Sequence, residues 1–241
     1  MSPVIEGAGV SLDYSVHGEG ETVLLVHGIG GTAWPDLPGR VIAYSRRGYG
    51  DSGAPEPYLA TTVEEQAEDA AALLEGLDAA PGVVVGWGVG ALVALDLARR
   101  HRDLVRGVVA IDPPMFAFVP DASEVLSAER DTLERSVREH GPEAAVRSFM
   151  AAAGAEPAAA AWAGASFRGF FADYGAPAGW AVGRRDLRAL TVPLIVVDGP
   201  APPPHVVAAS DALASAVPSA RRGGTLLDAV ASLLAADGSG G

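Results

Sequence analysis

Few polar groups in this chain could carry chemistry. There are five histidines, His17, His27, His101, His140 and His205, and none of them forms a metal-ligand spacing. Cysteine is absent, which excludes disulfides, a thiolate nucleophile and thiolate metal sites. Lysine is absent too, so Schiff-base chemistry is closed. Asp112, directly before Pro113-Pro114, and Asp198 follow short apolar runs, as do His27, Ser45 and Gly88. If those runs are parallel strands, these five residues meet any ligand at the strands' carboxyl ends. Asp112 is the best carboxylate to act as a general base or to orient one, with capping of a turn as the alternative. His205 follows the run Pro202-Pro203-Pro204; it either supplies a base or stands on the surface at a helix start. The residue types call for no metal and no cofactor.

The elements that must position these groups read as an alternation. Short β-branched runs at Thr22 to Val26, Val41 to Tyr44, Val83 to Val85, Val108 to Ile111 and Leu194 to Val197 are separated by helix-like stretches. Such alternation predicts an α/β fold with a mostly parallel central sheet and flanking helices. Val4 to Val16, interrupted by Gly7 and Gly9, predicts an antiparallel entry hairpin. Helices are expected over Val63 to Leu77 and Gly90 to Arg100. From Met115 to Arg188 the strand signal stops and helical stretches begin, with Ser123 to His140 followed by a restart at Pro142. The division expected is 1–114 for the first part of the core, 115–188 for a helical cap and 189–241 for the second part. Within the cap, Ala151 to Ala163 reads as an alanine-rich surface helix. Leu226 to Ala235 reads as a closing helix, and Asp237 to Gly241 as a flexible tail.

Totals narrow the function classes. The net charge of −13 argues against nucleic acid and anionic membranes as partners. Apolar residues make up 49%, yet no apolar run is long enough to cross a bilayer, and Met1 to Val10 carries no export signal. A cytoplasmic location is therefore expected.

Four segments in order resemble motifs of the α/β-hydrolase superfamily. His27-Gly28-Ile29-Gly30-Gly31 resembles its HGxG segment, and Arg46-Arg47-Gly48-Tyr49-Gly50-Asp51-Ser52 its RGxGxS turn. Gly86-Trp87-Gly88-Val89-Gly90 occupies the G-x-S-x-G nucleophile elbow, and Leu187 to Gly199 resembles the approach to the catalytic acid. The likeness spans nearly the whole chain outside the cap. It implies the α/β-hydrolase fold with a small helical cap, and backbone oxyanion donors at Ile29 and Val89.

The departures from that pattern direct the functional reading. Gly88 stands where the family has its serine, Pro202 where it has the acid, and Ser219 to Gly224 holds no histidine. The strand and loop that would carry the base are expected to be deleted. Between Gly30 and Arg40 the family's helix is replaced by a short segment, which is expected to leave one sheet face thinly covered and open to a homodimer contact. An oxyanion site without a nucleophile suits a non-hydrolytic acyltransferase. It would move a small acyl group, held as a coenzyme or carrier-protein thioester, to a thiol or amine acceptor such as a peptide. In lacking the triad the chain is similar to acyltransferases of nosiheptide-type thiopeptide side-ring assembly, which implies antibiotic biosynthesis. Catalytic roles are expected for Ile29, Val89, Asp112 and His205. Substrate contacts are expected from His27, Gly28, Trp34, Ser45, Trp87, Gly88 and Met115. For Trp34, Trp87 and Met115, packing between sheet and cap is an equal reading. A lyase, cyclase or isomerase using Asp112 or His205, and a catalytically silent ligand-binding protein, are the competing classes.

Overall fold

In the computed structural model, which describes residues 3–31, 34–120 and 122–236, the apolar runs form one eight-stranded sheet. Strands β1 (Val4–Glu6) and β2 (Ser11–His17) make the antiparallel entry hairpin. β3 (Thr22–Val26), β4 (Arg40–Tyr44), β5 (Gly82–Trp87), β6 (Val105–Ile111), β7 (Leu194–Val197) and β8 (Ala220–Arg222) run parallel to their neighbours. The spatial order is β1-β2-β4-β3-β5-β6-β7-β8, and β2 joins β4 antiparallel. This is the α/β-hydrolase architecture expected from the sequence.

The central strands read as unbroken apolar runs because both their faces are covered. Leu24, Val26, Val84, Val108, Ala110 and Val196 point to one face, beneath α1 (Val63–Gly76) and α2 (Val89–Arg100). Val23, Leu25, Val85, Val109 and Val197 point to the other, where α10 (Leu226–Ala235) packs. α1 begins at a capping box: the Thr62 hydroxyl accepts from Glu65 N–H, and the Glu65 carboxylate accepts from Thr62 N–H.

Between β6 and β7 lie α3 (Ala122–His140), α4 (Pro142–Ala152), α5 (Pro157–Ala165), α6 (Phe167–Tyr174), α7 (Ala176–Gly179) and α8 (Arg184–Arg188). Leu133, Val146, Met150, Ala163 and Phe170 give the first four a small core of their own. At the far end of the insertion the Trp180 indole N–H donates to Asp96 on α2, 3.0 Å away. α9 (Pro204–Ala216) joins β7 to β8.

Two features differ from the sequence expectations, while the contraction after β3 is as expected. Ala151 to Ala163 is not one helix, because Gly154 takes a left-handed φ of 85° and Pro157 starts α5 afresh. The eighth strand is shortened rather than deleted: Ala220, Arg221 and Arg222 pair with Leu194, Ile195 and Val196. What is missing is the loop after it, since only Gly223 and Gly224 precede the Thr225 cap of α10. Residues 34–39 form no helix, and here Trp34 and Leu37 lie on the sheet face that α10 covers elsewhere. Thr32, Ala33 and the tail Asp237 to Gly241 lie outside the described residues.

Candidate active site

The turn from β5 into α2 is held by close backbone approach. A Cβ on Gly90 would lie 2.1 Å from the Val26 carbonyl oxygen, and one on Gly86 would lie 2.2 Å from that of Gly90. Only glycine lets α2 descend this far onto β3. Gly88 is different: its φ of 56° and ψ of −122° give the strained elbow conformation, yet a Cβ there would meet only the Gly28 Cα, at 3.8 Å, among the described residues. The backbone of a nucleophile turn is present with side-chain space above it, and the residue is glycine. Across that space Gly31 N–H donates to Gly28 O at 3.1 Å and shapes the loop bearing Ile29. The Ile29 side chain packs on the cap core. The Val89 amide is the first of α2, so it has no partner within the helix.

The loop after β3 is locked from below by a buried network. His27 donates from Nδ1 to Gly28 O at 2.8 Å and accepts the Arg46 N–H at Nε2 at 2.9 Å. With both nitrogens so engaged, the ring is neutral. Burial, helped by the Arg46 guanidinium, pushes its pKa down to about 3, against a partial upward pull from the Gly28 bond. Arg46, 1% exposed, donates to Gly28 O at 3.0 Å, to Gln66 Oε1, and to Asp173 at 2.7 Å. Asp173 on α6, also 1% exposed, accepts from Tyr49 OH and Gln66 Nε2 as well. The cap is thus tied to the core beneath the loop from Gly28 to Gly31. Sequence reasoning missed this anchor. Arg46 was visible as part of a motif, but its partner lies 127 residues away with no local mark.

At the ends of β6 and β7 Asp112 sits at φ 48°. One of its oxygens accepts Gly199 N–H at 2.9 Å, and the Trp87 side chain also favours its ionised form. Burial raises the Asp112 pKa, opposed by the Gly199 bond and added to by Asp198. Arg222 Nη2 donates to both carboxylate oxygens of Asp198, at 2.7 and 2.9 Å, while its Nε donates to Asp211. His205, on the first turn of α9, faces the Phe116 ring with centroids 5.4 Å apart. Met115 is buried in the larger core.

The sequence-derived residues therefore fall into separate groups. Gly28, Ile29, Gly88 and Val89 meet at the elbow; Trp87 and Asp112 brace the strand ends; His205 stands against Phe116. His27, Trp34 and Ser45 line a cavity of about 490 Å³ together with Asp13 and Trp162, neither of which the sequence singled out. Trp34 meets Trp87 edge-on at 6.1 Å and so links two of these groups. Among the described residues no cluster of His, Asp or Glu is arranged to hold a metal ion, and no helix is long and apolar enough to cross a membrane.

With this geometry, the sequence pattern of the Alpha/beta hydrolase family matches residues 23–240. The chain belongs to that family. A curated relative, an uncharacterized hydrolase of Bacillus subtilis (strain 168), is 31% identical over 134 residues, 51% of this chain. That match spans about half the length of the relative, 48%. Solved structures share the fold along most of the hydrolase chain. A thermophilic esterase from Thermogutta terrifontis superposes with a TM-score of 0.70 at 24% identity, over 92% of this chain and 89% of its own. An enol-lactonase from Burkholderia xenovorans LB400 gives 0.66 at 24%, over 91% and 90%. A meta-cleavage product hydrolase from Pseudomonas fluorescens IP01 gives 0.69 at 19%, over 92% and 88%.

Proposed function

We propose that this hydrolase-family protein acts on an ester, lactone or thioester carbonyl bound over the Gly88 turn, and that the attacking nucleophile comes from outside the chain. The observation that carries this reading is the elbow backbone at Gly88, φ 56° at the head of α2, where a Cβ would meet only the Gly28 Cα, at 3.8 Å, among the described residues. The amides of Ile29 and Val89 would bind the carbonyl oxygen and stabilise the negative charge that develops on it; each such donor is worth on the order of 100-fold in rate. With no side chain at Gly88, no acyl-enzyme forms there. The nucleophile adds directly to the carbonyl carbon, the tetrahedral oxyanion collapses, and the departing alkoxide or thiolate takes the proton the nucleophile releases.

Water as nucleophile gives hydrolysis, which the esterase and lactonase names of the solved neighbours favour. A thiol or amine acceptor gives acyl transfer, the branch in which a carrier-bound thioester and a peptide acceptor would serve natural-product assembly. A second reading, ligand binding without turnover, draws support from Asp112, whose carboxylate is engaged by the Gly199 N–H. The same engagement counts against Asp112 as the base of a lyase or isomerase.

The test is to incubate the full chain with esters, lactones and thioesters in ¹⁸O-water, with and without thiol and amine acceptors. Turnover above background, without a burst and without labelling by an activated phosphonate, is expected. A burst matching the protein concentration would refute the direct mechanism. No turnover, with tight binding of a hydrated trifluoromethyl ketone, would establish the binding reading instead.

A further inference from the structure

The contracted segment after β3 leaves more than a bare edge. Where a helix would cover β2 and β4, a cavity of about 490 Å³ opens between the sheet and α5, within the size range of small-molecule sites. A second cavity of about 390 Å³ adjoins it, and the two share Asp13, Ser45 and Trp162. Their polar lining has one sign. Asp13 and Asp51 supply carboxylates, no Arg lines either cavity among the described residues, and His27 is held neutral by its two backbone bonds.

Asp13 is fixed in place and incompletely satisfied. Its N–H donates to Ser52 Oγ, that hydroxyl donates to Ser45 O, and Ser45 N–H returns to Asp13 O, at 2.9, 2.6 and 2.9 Å. One carboxylate oxygen receives only a long bond from the Ser45 hydroxyl, at 3.4 Å. The other, Oδ1, is buried without a hydrogen-bond partner. The carboxylate is therefore under-satisfied, and a cationic donor that reaches it from the cavity is favoured. The walls suit such a group. Trp162 stacks on Tyr49 at 5.7 Å with planes 13° apart, and it sits so close to Gly31 that a Cβ there would fall 2.5 Å from the indole. That indole is therefore a rigid face, and Trp34 is a second aromatic in the lining.

We propose that this cavity is a binding site, separate from the Gly88 elbow, for a protonated amine carried on an aromatic or apolar body, with Asp13 pairing the ammonium and Trp34 and Trp162 flanking it. The proposal does not depend on what the elbow does. Calorimetric titration of the full chain with 2-phenylethylamine tests it, with 2-phenylethanol as the uncharged counterpart. The amine is expected to bind with a dissociation constant on the order of 1 mM or tighter, and the alcohol at least about tenfold more weakly. Asp13→Asn is expected to weaken amine binding by roughly tenfold to a hundredfold, and Trp162→Leu by a smaller factor. Equal binding of amine and alcohol, an unchanged affinity in Asp13→Asn, or no amine binding up to about 10 mM would each overturn it. If Asp13→Asn fails to fold, the amine-to-alcohol comparison on the unaltered chain still decides.

Discussion

Replacing Asp173 with asparagine keeps the side chain's shape but leaves the Arg46 guanidinium, 1% exposed, without its counter-charge. Breaking a buried pair from one side costs about 3 to 5 kcal/mol, because the remaining ion stays desolvated. Arg46 retains two neutral acceptors, Gln66 Oε1 and Gly28 O, so the lower end, about 3 kcal/mol, is expected here. For a chain of this size that corresponds to roughly 6 to 12 °C in Tm. Differential scanning calorimetry reads the loss. Hydrogen exchange should place the loosening in α6 and in the loop from Gly28 to Gly31, since Asp173 joins the two. The double variant Arg46→Met/Asp173→Leu removes both charges but orphans the buried Gln66 amide and Tyr49 hydroxyl, so it should recover only part of the stability. A loss below about 1 kcal/mol for Asp173→Asn would refute the claim that a desolvated ion pair latches the cap.

Further outcomes follow from the same geometry. His27 has a folded pKa of about 3 against 6.5 unfolded, so below pH 6.5 the unfolded chain takes up a proton the folded chain refuses. Stability should fall by about 1.4 kcal/mol per pH unit from pH 6.5 towards pH 3; an equally steep acid limb in His27→Gln would show another group to be responsible. Gly90→Ala, whose Cβ would meet the Val26 carbonyl, should lower the urea midpoint by at least about 2 kcal/mol in free energy, while Gly88→Ala should cost only the left-handed strain, about 1 to 2 kcal/mol. The reverse ranking would sink the account of the turn. Because burial disfavours the Asp112 carboxylate, Asp112→Asn should change Tm little, whereas Asp112→Ala orphans the Gly199 N–H and should cost about 1 to 3 kcal/mol in a thermal melt.

The sequence by itself determined the sheet's central strands and the turn at Gly88. Strands covered on both faces must be apolar at every position, so Thr22–Val26 and Leu194–Val197 announce themselves locally. The glycines at 86 and 90 likewise follow from a backbone approach that any side chain would prevent, and the glycine at 88 suits the positive φ of the turn. β8 was not legible, because Ala220–Arg222 has no strand pattern of its own and is extended only by pairing with β7. Gly154 and Pro157 could have shown that the alanine-rich stretch is two helices, had their turn chemistry been weighed above its composition.

Tertiary structure alone decided the roles of the polar groups. Asp112 looked free at a strand end, but the Gly199 N–H reaches it from just beyond β7. Arg46 meets Asp173, and Asp13 shares a cavity with Trp162, across more than a hundred residues of chain. Local rules describe backbone preference and periodic burial. Whether a charge is paired, engaged or left waiting for a partner depends on which distant segment closes over it.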